Sequence, residues 1–143
     1  MLCLRNSFFC FMVAIFIIAP SVNAQDVVLI ASSNVMVNGS ISASDVQNIF
    51  LGKKTTWDDG NKITFITLND GTTHETFLKN YIGKSSSQYK TFWKKQVFTG
   101  KGKMPESVDS DQDMVKAISG TTNAIGYVSA GTDIGSAKNL PVK

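Results

Sequence analysis

The chain has 143 residues, 17% of them charged, with 14 basic against 11 acidic side chains and a formal net charge of +3. Arg5 is its only arginine, so it lacks the clustered, arginine-bearing face with which proteins grip nucleic acid, and nucleic acid is excluded as a partner. Both cysteines, Cys3 and Cys10, lie near the amino terminus, so nothing beyond Ala24 can form a disulfide.

Arg5, the apolar run from Ser7 to Ala19 and then Val22-Asn23-Ala24 read as a secretory signal peptide, residues 1–24, cleaved after Ala24. The run is short for a membrane anchor and no stop-transfer flank follows it, so no stable membrane insertion is expected after cleavage. Export without cysteine suits a bacterial periplasm. Residues 25–143 suffice for one domain with its own core, and no internal repeat, low-complexity tract or long linker divides them.

Asp26 to Ser32 is a continuous apolar run, which predicts a strand buried on both faces of a parallel sheet. Ser32 and Ser33 follow at its carboxyl end, where open α/β sheets place ligands. Ser42 is an N-cap for a helix over 43–51 that turns Val46, Ile49 and Phe50 inward and closes at Gly52. Trp57 sits in a polar loop and is expected to cover the core.

Ile63 to Leu68 alternates apolar and smaller residues and predicts a second strand. Asn69-Asp70-Gly71 supplies turn chemistry, and Thr72 with Glu75 has capping-box spacing. Phe77, Leu78, Tyr81 and Ile82 then form a helical apolar stripe that stops at Gly83. This strand, tight turn and helix aim free N–H groups and a positive dipole end at one spot, which suits an anion.

Ser85 and Gln88 repeat the capping-box spacing and open a helix to about Val97, with Tyr89, Phe92, Trp93 and Val97 inward. Phe98 to Pro105 reads as a flexible connection carrying part of a lysine cluster, Lys94, Lys95, Lys101 and Lys103. Asp109 and Gln112 open a fourth helix ended by Gly120. A strand over 124–128 follows, then a short edge strand over 139–142. Strands alternating with helices predict an α/β fold, a mainly parallel sheet with helices on both faces.

His74 is the only histidine. Thr73, His74 and Glu75 are sequence neighbours whose side chains diverge on a helix, so they make no hydrolytic triad. One histidine among scattered aspartates is also too little for a metal site. The chain is therefore expected to be no enzyme and to use no metal or other cofactor.

Several segments, in order, resemble the periplasmic phosphate-binding proteins that serve ABC importers. They are Ile41–Trp57 (ISASDVQNIFLGKKTTW), the turn Asp70-Gly71-Thr72-Thr73 with Phe77 behind it, Phe92-Trp93 followed by Phe98-Thr99-Gly100, and Asn123–Val128 (NAIGYV). The resemblance implies a single lobe of type II periplasmic-binding-protein fold. It further implies ligand binding by backbone amides and hydroxyls at helix N-termini. The relatives' phosphate loop, Arg-x-x-Gly-Ser-Gly-Thr, falls on Thr67 for the arginine, Gly71 for the serine, Thr72 for the second glycine and Thr73 for the threonine. The arginine and serine are thus replaced here.

Two functions remain open. One is a non-catalytic binder of phosphate or a similar oxyanion, using Asp70, Gly71, Thr72, Thr73, Ser32 and Ser33 and delivering to an ABC importer. The other is a degenerate lobe that docks onto another envelope protein or pairs as a weak homodimer.

Overall fold

The computed structural model describes residues 26–143. The segment expected to be a signal peptide, with its expected cleavage point after Ala24, and both cysteines lie outside the described residues. Among the described residues no helix is long and apolar enough to cross a membrane.

The elements in chain order are β1 (Val27–Ala31), α1 (Ala43–Phe50), β2 (Thr64–Leu68), α2 (Thr72–Phe77), α3 (Ser86–Phe98), β3 (Glu106–Val108), α4 (Asp111–Gly120), β4 (Ala124–Ser129) and β5 (Lys138–Asn139). The five strands make one sheet in the order β3-β2-β4-β1-β5. Its β3-β2-β4 portion is parallel, the pattern expected of an α/β fold. By contrast, β1 runs antiparallel to both β4 and β5. The apolar composition of Val27–Ala31 reports burial, and burial does not depend on strand direction.

Helices cover both faces. Successive strand residues point to opposite sides. Tyr127 stacks on Phe77 of α2 at a ring-centroid distance of 3.8 Å and meets Phe50 of α1 edge-on at 5.8 Å. Its neighbour Gly126 lies beneath α4, where a Cβ would stand 2.5 Å from Met114 Sδ and 3.1 Å from Ile118 Cδ1. The bare glycine lets α4 press directly on the sheet. The aromatic layer continues from Phe50 to Phe65 and from Phe65 to Trp93 of α3, with centroids 5.3 and 5.6 Å apart. Trp57 is buried as expected, and its indole N–H donates to the Asn123 carbonyl at 3.1 Å.

Local sequence explains most helix starts. Ser42 accepts the Asp45 N–H at 3.0 Å. Ser85 and Gln88 form the full reciprocal capping box. The box expected at Thr72 and Glu75 does not form. Gly71 is the N-cap, at φ +93°, and makes no side-chain cap bond; Thr72 is already helical. Past Phe77 the helix widens into a π turn over Leu78–Ile82, closed by a Gly83 N–H to Leu78 carbonyl bond of 2.7 Å. The fourth helix is capped by Ser110 rather than Asp109. Val97, expected inside, is 44% exposed. The segment Glu106–Val108, for which no element was expected, is the edge strand β3. The last strand is limited to Lys138–Asn139, with one further bridge between Ile41 and Val142.

Candidate functional site

The turn after β2 opens onto a groove of about 240 Å³, lined by Leu68, Asp70 to Thr73 and Asp109 to Asp111. The sheet explains the second set of residues. Because β3 runs beside and parallel to β2, the connection from β3 into α4 emerges next to the connection from β2 into α2. The amino ends of α2 and α4 therefore meet here. The Asn69 amide donates to Asp109 Oδ1 at 2.6 Å, and the Asn69 N–H donates to the Val108 carbonyl at 2.9 Å, tying the two turns together.

The first N–H groups of α2 have no partner within their own helix. Thr72 is exposed and Thr73 half-buried, and neither hydroxyl is engaged in a hydrogen bond with another described residue. These features suit an anion. The charge does not: Asp70, Asp109 and Asp111 put three carboxylates on the groove wall, and no lysine lines it. Asp111 is partly spent, since its Oδ2 accepts the Ser129 N–H at 3.2 Å, the Thr132 hydroxyl at 3.3 Å and the Ser129 hydroxyl. Among the described residues no three of His, Cys, Asp and Glu converge to hold a metal ion.

Ser32 and Ser33 do not join this groove. Ser32 lies beside Ala124, at the start of β4, whereas the Asp70–Thr73 turn follows the end of β2. β1 is antiparallel to β4 and β2 is parallel to it, so their carboxyl ends point to opposite edges of the sheet. Ser32 is 4% exposed and its hydroxyl is engaged. Its Oγ accepts the Ala124 N–H at 2.9 Å, and its proton faces the carbonyls of Ile118, at 3.1 Å, and Thr121. It locks the α4–β4 junction.

On the other side of Leu68 lies a smaller cavity of about 90 Å³, which sequence reasoning missed. His74, 4% exposed, forms part of its wall. Its Nδ1 is 2.6 Å from the Tyr127 hydroxyl, which also accepts the Leu68 N–H at 3.0 Å. The phenol proton has His74 Nδ1 as its acceptor, which places the ring proton on Nε2. Burial, then the positive charge of Lys90, hold the imidazole below its usual pKa, opposed by the Asp70 carboxylate. His74 is therefore a neutral donor at pH 7. Burial likewise raises the phenols of Tyr89 and Tyr127, keeping both protonated. Trp93 Nε1 is buried near the Tyr89 hydroxyl without reaching hydrogen-bond geometry. The apolar stripe of α2 was legible in the sequence; that His74 would be buried against Tyr127 was not, because the pairing spans 53 residues of chain.

Comparison with known proteins bears on this arrangement. Residues 16–140 match the family model described as a PBP superfamily domain. Similar solved structures include a candidate phosphate ABC transporter substrate-binding protein with bound phosphate from Clostridium perfringens, at 20% identity and a TM-score of 0.63, covering 82% of this chain and 45% of that one. PstS from Borrelia burgdorferi is 18% identical with a TM-score of 0.63, over 83% of this chain and 47% of its own. An ABC-type phosphate transport receptor from Vibrio cholerae is 16% identical with a TM-score of 0.56, over 82% and 46%. This chain thus spans just under half the length of each of them, and at these identities the likeness shows the fold. No curated protein matches.

Proposed function

Because the chain belongs to the PBP superfamily, we propose that it is a non-catalytic binding lobe of the cell envelope that takes phosphate or a similar oxyanion at the Asp70–Thr73 turn. One observation carries this reading. Gly71, at φ +93°, starts α2, so that Thr72 and Thr73, whose N–H groups have no partner within the helix, line the groove. Export to the periplasm and delivery to an ABC importer belong to the same proposal.

The carboxylates refine it. As carboxylates, Asp70, Asp109 and Asp111 accept hydrogen bonds and donate none. An anion beside them is tolerated best when it carries a proton of its own, as phosphate does and sulfate does not. Without an arginine clamp, three or four charge-assisted bonds offset by solvent access and association entropy leave a dissociation constant on the order of 0.1–10 mM.

Titration with phosphate and with sulfate, followed by amide NMR, tests this. Phosphate is expected to move the Gly71, Thr72 and Thr73 amides and sulfate to move them less. Thr73→Val is expected to weaken phosphate binding roughly tenfold with little change in stability. Silence of these amides at about 20 mM phosphate, twice the weakest constant estimated, would remove the reading.

A second reading, a lobe that docks onto another envelope protein, is favoured by a different surface. Phe98 is 92% exposed and its neighbour Val97 44%, and Lys94, Lys95, Lys101 and Lys103 flank them in the chain. Solvent-facing apolar residues of this size, rimmed by charge, suit a protein contact.

A further inference from the structure

We propose that the cavity at His74 is a second binding site, and that it takes a short-chain carboxylate. The proposal does not depend on phosphate binding at the turn. His74 Nε2 makes no hydrogen bond among the described residues, while Nδ1 is committed to Tyr127. The buried donor without a protein acceptor on this wall is the indole N–H of Trp93; such a donor is uncommon and marks a place for a ligand or water.

The surroundings decide what kind of ligand. No carboxylate lines the cavity, and Lys90 brings an ammonium to its rim. Both features call for a negative group. The remaining wall is largely apolar, with Leu68, Tyr89, Trp93, Met104 and Pro105 around the imidazole. Thr67, Ser86 and Ser107 add hydroxyls, but most of the wall is carbon, against which a phosphate would bring charged oxygens. A carboxylate with an alkyl tail places two oxygens at His74 and Lys90 and its carbons against Trp93 and Met104. Size sets the length of that tail. A cavity of about 150 Å³ accepts benzene, so one of about 90 Å³ encloses roughly four heavy atoms, which is acetate or the head of propionate with its last carbon toward the mouth. Lys90, Met104 and Ser107 are exposed and mark the mouth. A ligand this small, in a site open on one side, is expected to dissociate with a constant on the order of 1 mM.

His74 is the only histidine, so its imidazole nitrogens give a single reporter in a long-range ¹H–¹⁵N spectrum. Titration of the protein with propionate, against chloride at matched ionic strength, is expected to shift Nε2 saturably and chloride to leave it in place. Lys90→Met, at an exposed helix position, should weaken propionate binding five- to tenfold. Met104→Trp, which narrows the mouth from an exposed residue, should abolish it. An imidazole unmoved by propionate at about 50 mM, fifty times the expected constant, would overturn the proposal. Equal shifts with chloride, or equal affinity in all three proteins, would overturn it too. Phosphate serves as the cross-check. If phosphate moves the Gly71–Thr73 amides and propionate leaves the imidazole still, the turn site survives and the cavity is rejected. The opposite pattern rejects the turn site alone.

Discussion

The two sides of the carboxyl end of β2 differ in charge although both touch Leu68. The turn groove has the backbone of an anion site, with Gly71 at positive φ and a helix start behind it, yet three aspartates line it. The His74 cavity has no such backbone arrangement. It holds instead the His74 imidazole, the unpaired indole N–H of Trp93, a lysine at the rim and no carboxylate. Backbone geometry and electrostatic complementarity to a ligand are therefore set by different parts of the chain. The first is local to Asn69–Gly71. The second depends on what other elements bring alongside: the β3–α4 junction supplies Asp109 and Asp111 to the groove, and α3 supplies Lys90 to the cavity.

The largest test of the comparison is to remove the wall on which both sites rest. Phe77 is fully buried between Phe50 and Tyr127, and Tyr127 in turn holds His74. Phe77→Ala is expected to cost about 3–5 kcal/mol, and Trp93→Ala a similar amount. Chemical denaturation reads both. A loss below about 1 kcal/mol for either would mean that the aromatic layer is not what positions the sites.

How much of this was legible in the sequence follows from the range of each interaction. Ser42 and Ser85 cap the helices they were expected to cap, because a cap is settled within four residues. Gly71 took the place expected of Thr72 for an equally local reason, the positive φ that glycine alone adopts easily. β3 was missed because Glu106-Ser107-Val108 has no apolar alternation; its ladder to Ile66–Leu68 makes it a strand. The reversed direction of β1 separated Ser32 and Ser33 from the turn, and strand direction leaves no trace in an apolar run. Asp109 and Asp111 were visible as helix-start residues, but their approach to Asp70 was not.

Acidification separates the two regions by a smaller effect, since a single imidazole carries it. The folded state holds His74 below its ordinary pKa, so the unfolded chain takes up the proton first as pH falls through about 6.5. A depressed folded value gives stability that is present above the unfolded value and lost on acidification. Denaturation midpoints should therefore fall between pH 7 and pH 5. His74→Gln, which cannot titrate, should show a shallower slope over that window whatever its absolute stability. Parallel slopes would mean that His74 is as accessible to protons in the folded chain as in the unfolded one.

The smallest effect goes to the charge difference itself. Asp109→Asn keeps an oxygen to accept the Asn69 amide and removes one negative charge from the groove wall. With partial solvent screening, one charge several ångströms from a bound anion contributes about 0.5–1 kcal/mol, so phosphate should bind roughly two- to fivefold tighter. Propionate at His74 should be almost unaffected, because Asp109 does not line that cavity. Calorimetric titration of both anions against both proteins separates the cases. Tighter phosphate binding with unchanged propionate binding means that the groove's own aspartates limit it. Unchanged phosphate binding means that the anion does not sit between the two helix starts, and equal gains for both anions mean that the two regions share one electrostatic field.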